Sequence, residues 1–327
     1  MRTRNTWLRL ILGAAVLTGT AGCQSSGNYF LSALGLTKKP LAAGLVLDGH
    51  PEGALATLRY AKLQNALTQE LDQPVAVEPC FVFQARQWLD SGWHGFAIIS
   101  PAHFRTLTGD SPARILAVPT DATGRIVREA VLVVSENSEI QSAAELRGKV
   151  VAFGPSGNAR THHAALQLLA EAGVKRDDLK REILPVPGVL KHVADPRVRA
   201  QTVINGTAVA AFLDVAAWEA LPAHSGEERK VGRDRLRIID RTAALPSRLI
   251  VASPKLNEVD AQELRNALLA MADAHPDALH PLGISGYCTP DEKTLATCRN
   301  LVVEAKDAAK SQQEPLAEPD ARADSSS

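Results

Sequence analysis

Apolar positions along the chain follow two spacings in turn, and this alternation predicts strands and helices. Continuous apolar runs predict buried strands at 41–49, 74–83, 95–101 and 113–120. Leucines at helical spacing predict a helix between the first two runs: Leu55, Leu58, Leu63, Leu67 and Leu71. A further helix is predicted over 84–92, because Gly92 stands where helix C-caps prefer glycine. The alternation predicts a mostly parallel α/β sheet with helices on its faces.

A second series of the same kind runs from 150 to 242. It contains predicted strands at 150–154, 182–187, 207–214 and 236–242 and predicted helices at 159–172, 195–206 and 215–221. Two long β runs, 129–137 and 247–254, join this series to the first. They predict two lobes connected by two crossing β-strands, with a ligand cleft lined by loops at the carboxyl ends of the strands.

The pattern therefore predicts a discontinuous first lobe, completed by C-terminal helices at 260–277 and 290–311. The last residues are rich in Glu, Asp, Pro, Ala and Ser without an apolar period, which predicts a disordered tail. The predicted order is a signal segment at 1–23, a tether at 24–40, lobe one at 41–128, lobe two at 129–246, the crossing strand and completion of lobe one at 247–310, and the tail at 311–327.

The N-terminus has the features of a secretory signal. Arginines at positions 2, 4 and 9 precede an apolar run from Leu10 to Val16 and then small residues up to Cys23, and this run is too short to span a membrane comfortably. The ending "TAGC" resembles a bacterial lipobox, with Thr20 where leucine is usual, so Cys23 is expected to be lipidated. The alternative is an ordinary signal peptide that is cleaved nearby.

Three cysteines remain after Cys23. Cys288 and Cys298 lie close enough in sequence to form a disulfide, which would leave Cys80 as a buried thiol. No Cys-x-x-Cys pair or Cys/His spacing suggests zinc. His162 and His163 are adjacent, so on a helix they point about 100° apart and do not form a paired metal site. No metal is expected.

Composition excludes several classes of function. Acidic and basic residues balance at 36 each, so no net positive field attracts nucleic acid, and the 4% aromatic content disfavours a stacking platform. The sequence has no Gly-x-Ser-x-Gly elbow, no dinucleotide fingerprint and no obvious carboxylate pair. We therefore expect neither an enzyme nor a bound cofactor.

The loop 154–158, "GPSGN", lies between a predicted strand and a predicted helix. A helix N-terminus favours an anion, and Ser156, Asn158 and Thr161 add polar side chains while Arg160 adds a bidentate guanidinium. The alternative is that Ser156 or Asn158 only caps the helix. Asp214 lies at the end of another predicted strand, where it would accept hydrogen bonds from a ligand or cap a helix. Ser100 and His103 lie at the end of a third strand, in the stretch "AIISPAHF".

Several stretches together resemble a known family over residues 42–306: "ELRGKVVAFG", "LLAEAGV", "GTAVAAFLD", "RIIDRTAALPSRLIVASPKL", "LGISGY" and "LDSGWHGFAIISPAHF". The chain is similar to the substrate-binding proteins of phosphate, phosphite and phosphonate ABC transporters, which have the type 2 periplasmic binding protein fold. The resemblance implies a monomer on the periplasmic side of the bacterial cell envelope. It would capture a small oxyanion between its lobes and deliver it to a membrane permease, without chemistry.

The resemblance also implies site residues. The family's Ser-Thr-Ser-Gly anion loop falls on Asn158, Ala159, Arg160 and Thr161, so two hydroxyl donors are replaced and Ala159 offers only its N–H. Asp214 falls on the family's acidic position, and Phe83 lies near a usual tyrosine. Because the loop is altered, a carboxylate or sulfonate ligand stays open. A lipid-anchored sensor or envelope scaffold that reuses the fold is the second hypothesis.

Overall fold

The computed structural model describes residues 40–46, 53–108, 114–181, 189–224 and 231–301. The strands are β1 Leu41–Val46, β2 Val75–Cys80, β3 Phe96–Ile99, β4 Ile115–Asp121, β5 Val127–Arg128, β6 Ala130–Ser135, β7 Val151–Phe153, β8 Lys191–His192, β9 Ala210–Asp214, β10 Leu236–Arg241, β11 Leu245–Pro246, β12 Leu249–Ala252 and β13 Ile284–Cys288. The α-helices are α1 Gly53–Glu70, α2 Val82–Ser91, α3 Phe104–Thr108, α4 Ala164–Glu171, α5 Pro196–Ile204, α6 Val215–Glu219, α7 Glu258–Ala274, α8 Pro276–Leu279 and α9 Glu292–Asn300. Among these residues, no helix combines the length and the apolar character that crossing a membrane requires.

The chain divides into two compact units. Unit 1 contains the described residues of Met1–Ala130, Asp214–Ala220 and Ala243–Arg299, and unit 2 those of Val131–Leu213, Leu221–Thr242 and Asn300–Ser327. The chain thus leaves unit 1 within the first long β run and returns to it between β10 and β11. The short segment with α6 belongs to unit 1, where Arg128 of β5 donates to Glu219 at 2.8 Å and also pairs with Asp121.

Unit 1 is built on a six-stranded sheet in the order β13-β4-β12-β3-β1-β2. β1 pairs in parallel with β2 and with β3, so the carboxyl ends of these three strands lie at one edge. β12 instead runs antiparallel to both β3 and β4, and β13 antiparallel to β4. The sheet is therefore mixed, and the predicted mostly parallel arrangement is wrong for this half. Its core contains Leu63 and Leu67 of α1 and Leu264 and Leu268 of α7.

Unit 2 is built on a five-stranded sheet in the order β10-β6-β9-β7-β8. β7 pairs in parallel with β8 and β9, which again places three carboxyl ends at one edge, whereas β10 runs antiparallel to β6. Phe153 of β7 stacks on Phe212 of β9 at a centroid distance of 5.5 Å, and both are fully buried with Leu169 of α4. The α/β class predicted from the sequence is confirmed in both units.

Several elements differ from the sequence prediction, among them the short elements β5, β8, β11, α3 and α8, which were not predicted. The apolar run at 74–83 does not continue as a strand, because the backbone N–H of Phe81 donates to Gln84 Oε1 at 2.9 Å and helix α2 begins at Val82. Strand β13 was not predicted, since its Ser285 and Gly286 break the apolar run. The predicted strand at 182–187, the signal segment, most of the tether and the tail lie outside the described residues.

Cys80 is a buried thiol as expected, whereas Cys288 and Cys298 differ from the prediction. Cys80, Cys288 and Cys298 are all free thiols in the described structure, so the expected disulfide between Cys288 and Cys298 is absent there. Cys288 ends β13 and is half-buried, whereas Cys298 on α9 is fully buried, with burial raising its pKa to about 12. Closeness in sequence permits a bond but does not set the direction of either side chain.

Candidate functional site

The loop after β7 leads into a π-helical turn, Ala159–His163, that continues as α4. Asn158 caps this helix: its side-chain oxygen accepts from the N–H of Arg160 at 3.0 Å and of Thr161 at 2.9 Å. Its main-chain carbonyl accepts from the N–H groups of His162 and His163, both at 3.2 Å. The capping alternative is therefore realised for Asn158, and two of the helix donors that an anion would use already have an intramolecular acceptor.

Other donors of the same loop stay open. The N–H groups of Ser156, Gly157 and Ala159 have no acceptor within the described part of the chain. Ser156 is exposed, and Arg160 is half-buried at the second position of the helix. The loop therefore presents main-chain donors at the start of a helix that carries an arginine in its first turn, and both features favour an anion.

A second arginine lies beneath this loop. Arg199 of α5 is only 3% exposed and donates to the carbonyls of Phe212 at 2.7 Å, Val193 at 2.8 Å and Ala194 at 3.0 Å. Its Nη1 lies 3.3 Å from the point that a Cβ on Gly154 would occupy. The structure thus places a buried positive charge against the start of the loop. The sequence alone does not mark Arg199, because nothing in "DPRVRA" separates it from its exposed neighbour Arg197.

Thr161 and Gly154 make a close contact inside the loop. The Thr161 hydroxyl is buried and has no hydrogen-bond partner among the described residues. A Cβ on Gly154 would lie 2.0 Å from Thr161 Oγ1 and 2.9 Å from Thr161 Cβ. Only glycine fits at position 154 with this threonine in place.

We expect Gly154→Ala to lower the free energy of unfolding by about 1–3 kcal/mol, as overpacking in a tight interior does. Urea denaturation of the purified protein measures this loss. In a Thr161→Ala background the same substitution should cost less by at least about 0.5 kcal/mol, since the closest clashing atom is gone. An equal cost in both backgrounds would contradict the contact as the cause.

Three histidines gather beside the loop in unit 2. His162 Nδ1 lies 3.2 Å from His192 Nε2, and the His163 ring packs edge-on against His162. Burial, together with the charges of His163, His192 and Arg176, lowers the pKa of His162 to about 2. This imidazole is therefore neutral at physiological pH. In the described residues, no group of three or more His, Cys, Asp or Glu side chains is arranged to hold a metal ion.

The predicted site residues of unit 1 lie at one sheet edge. Ser100 and His103 follow β3, and Phe83 follows β2 on helix α2. Ser100 is 2% exposed, and its hydroxyl accepts from the N–H of Ala102 at 3.4 Å, so it caps the short 3₁₀ turn Pro101–His103. His103 is half-buried and Phe83 is 61% exposed. Phe83 is therefore the most accessible of the three.

Asp214 ends β9 and begins α6. Its Oδ1 accepts from the N–H of Ala216 at 3.2 Å, so the predicted capping alternative is realised. The side chain is half-buried. One carboxylate oxygen acts as the cap, and this geometry is compatible with a second acceptor role for the carboxylate.

His94 in unit 1 was also missed from the sequence. Its ring is fully buried, lies edge-on to Trp88 at 4.6 Å, and places Nε2 3.3 Å from Glu78 Oε2. Burial lowers its pKa, against the opposing effect of Glu78. A Cβ on Gly44 would lie 2.8 Å from His94 Nδ1, so glycine at 44 makes room for the ring. No local pattern marks this histidine, because its partners are distant in sequence.

A family model described as "ABC transporter, phosphonate, periplasmic substrate-binding protein" matches residues 53–295. Among curated protein sequences there is no significant match.

Several solved structures share the fold at low sequence identity. XAC2383 from Xanthomonas citri bound to ATP is 17% identical over 80% of this chain and 95% of that one, with a TM-score of 0.63. PhnD1 from Prochlorococcus marinus in complex with methylphosphonate is 17% identical over 80% and 97%, with a TM-score of 0.57. A binding protein component of an ABC phosphonate transporter from Pseudomonas aeruginosa is 15% identical over 80% and 85%, with a TM-score of 0.54.

Proposed function

Because this chain belongs to the family of periplasmic substrate-binding proteins of phosphonate ABC transporters, we propose that it captures a small oxyanion, of the phosphonate, phosphite or phosphate kind, for such a transporter. The family resemblance inferred from the sequence is confirmed, as is the type 2 periplasmic binding fold. Members of this family are extracytoplasmic substrate-binding components of transporters and not enzymes.

The observation that carries the oxyanion proposal is the donor set of the loop after β7. The N–H groups of Ser156, Gly157 and Ala159 belong to the loop that leads into the helix, and Arg160 is the second residue of that helix. Arg199 adds a buried positive charge at the start of the same loop. An anion at this loop would receive main-chain hydrogen bonds and a charge-assisted bond together. In the proposal, the residues predicted from the sequence supply the other contacts to the ligand: Ser100, His103, Phe83 and Asp214.

The proposal includes a lipid anchor. Cys23 lies outside the described residues, so the anchor rests on the signal segment and the lipobox-like ending "TAGC". A lipid on Cys23 and the tether behind it would hold the binding units at a membrane of the cell envelope, on its periplasmic side.

A thermal-shift screen tests the function. The purified protein is heated with phosphate, phosphite, methylphosphonate, aminoalkylphosphonates, alkylsulfonates and small carboxylates. A ligand at a hundred times its dissociation constant adds about 2.7 kcal/mol to the stability of the folded state, which is a clear upward shift. A shift with phosphonates or phosphate supports the proposal, and a shift with carboxylates or sulfonates alone would reassign the ligand.

We expect Arg160→Ala to weaken binding of the anion found in that screen at least tenfold, because loss of a charge-assisted contact costs about 1.5–3 kcal/mol. Titration calorimetry measures the two dissociation constants. Arg181→Ala is the matched control, since Arg181 is an exposed arginine of unit 2 that pairs with Asp177 on the surface. An affinity unchanged in both variants would reject the role of Arg160.

One observation favours a second function, a lipid-anchored sensor or scaffold that reuses the fold. The side-chain oxygen of Asn158 already accepts from the N–H groups of Arg160 and Thr161. These donors belong to the stretch that corresponds to the family's anion loop, so the loop has fewer donors for a tetrahedral anion. If no small anion shifts the melting temperature, this second function is preferred.

A further inference from the structure

Two phenylalanines form an exposed, ordered pair in unit 1. The rings of Phe81 and Phe83 are nearly parallel, with an interplanar angle of 7° and centroids 5.9 Å apart. Phe81 is 56% exposed and Phe83 61% exposed. The low aromatic content of the sequence disfavoured a stacking platform. Composition does not determine where aromatic residues lie, however, and two of the seven phenylalanines are side by side and exposed to solvent.

The pair lies at the edge where a ligand is expected. β2 ends at Cys80, so Phe81 is the first residue beyond the carboxyl end of this strand. β1 runs parallel to β2 and β3, which places the pair on the same edge as Ser100 and His103. Open α/β sheets bind ligands outside the carboxyl ends of their strands.

Local folding does not account for the pair. Phe81 occupies the N-cap of α2, where Ser, Thr, Asp or Asn would supply a capping oxygen that a phenyl ring lacks. Its extended backbone, with φ −81° and ψ 160°, lets its ring lie alongside that of Phe83. Neither ring is needed for the core, because most of each side chain faces solvent. The N-cap position of α2 therefore carries an exposed aromatic ring in place of a side chain that would cap the helix.

The size of the surface suits a small molecule. A phenylalanine side chain has only about 150–250 Å² of surface, whereas a stable protein interface needs roughly 800 Å² on each partner. A planar ring stacked on one phenyl group would lie parallel to the other, since the two planes differ by 7°. Stacking of a flat ring on an aromatic side chain is tolerant of ring type.

We propose that the ligand of this protein carries an aromatic ring in addition to its oxyanion, and that Phe81 and Phe83 stack on that ring. The inference rests on the proposed function. It deepens that function by replacing a simple alkyl anion with an aryl or heteroaryl one.

The experiment compares phenylphosphonate with methylphosphonate, which carry the same oxyanion. Titration calorimetry on the purified protein should give at least tenfold tighter binding of phenylphosphonate. In Phe83→Leu and in Phe81→Leu, which keep an apolar side chain without an aromatic face, the ratio of the two affinities should fall toward one. Trp93→Leu is the matched control. Trp93 is a 55% exposed aromatic residue just before β3, at the opposite edge of the sheet, and its loss should leave the ratio unchanged.

The outcomes separate the two proposals. Equal affinities for both probes in the wild-type protein would overturn the aromatic ligand while leaving oxyanion capture intact. A phenyl preference that survives both leucine variants would overturn the assignment to this pair. Binding of neither probe would overturn phosphonate capture and, with it, the inference.

Discussion

Acidification from pH 7 to pH 4 should lower the free energy of unfolding of unit 2 by about 3 kcal/mol through His162 alone. Burial holds the pKa of this imidazole at about 2 in the folded protein, whereas an unfolded histidine titrates near pH 6.5. Between these two values the unfolded chain binds one more proton than the folded chain. Stability contributed by His162 is therefore complete above pH 6.5 and is lost as the pH falls through the window below it.

Hydrogen exchange at the amides of β7 and β9 measures this loss in unit 2, because Phe153 of β7 packs against His162 and β9 pairs with β7. The comparison is with His162→Gln, which keeps a polar side chain but does not titrate. Between pH 6 and pH 4 the free energy of unfolding should fall more steeply with decreasing pH in the wild-type protein than in His162→Gln, by about 1.4 kcal/mol per pH unit. Tryptophan fluorescence measures the unfolding of unit 1 separately, because Trp88, Trp93 and Trp218 all lie in that unit. Parallel pH profiles for the two proteins would refute the role of His162.

Arg199→Met should destabilise the protein by at least about 3 kcal/mol, because it removes several hydrogen bonds from a charged donor, each worth about 1.5–3 kcal/mol. The guanidinium holds the carbonyls of Val193, Ala194 and Phe212, which lie around the ends of β8 and β9. Without it, buried carbonyls lose their donor, and the unbranched methionine fills only part of the space.

Urea denaturation measures the effect, and two further variants define its cause. Arg197→Met changes the same residue type two positions earlier on α5, where the side chain is exposed, and should alter stability by less than about 0.5 kcal/mol. Arg199→Lys keeps the charge but not the planar fork, so it should fall between wild type and Arg199→Met. Equal losses for Arg197→Met and Arg199→Met would contradict the structural role of the buried guanidinium.

The candidate site shows which features a local sequence pattern predicts and which it does not. The strand, loop and helix at 151–171 were predicted in their correct order, and the cap position was narrowed to Ser156 or Asn158. The choice of Asn158 depends on which oxygen meets the N–H groups of Arg160 and Thr161, and this follows from the path of the loop over Gly154. The same holds for Phe83. Its position near the family's usual tyrosine suggested ligand contact, but its pairing with Phe81 required helix α2 to begin at Val82.

The sequence by itself determined the local elements of this protein. Apolar spacing predicted the class of most strands and helices, and Gly92 ended α2 as predicted, with a positive φ of 76°. These features depend on neighbours within a few residues, so the local sequence is sufficient to predict them.

Only the tertiary structure decided which polar groups are buried and how the strands are ordered. Arg199 and Arg197 are alike in sequence, and one is buried because β8, β9 and the loop at Gly154 meet around it. β12 enters the first sheet antiparallel after the chain has returned from unit 2 to unit 1. Such contacts join residues far apart in sequence, and no local spacing encodes them.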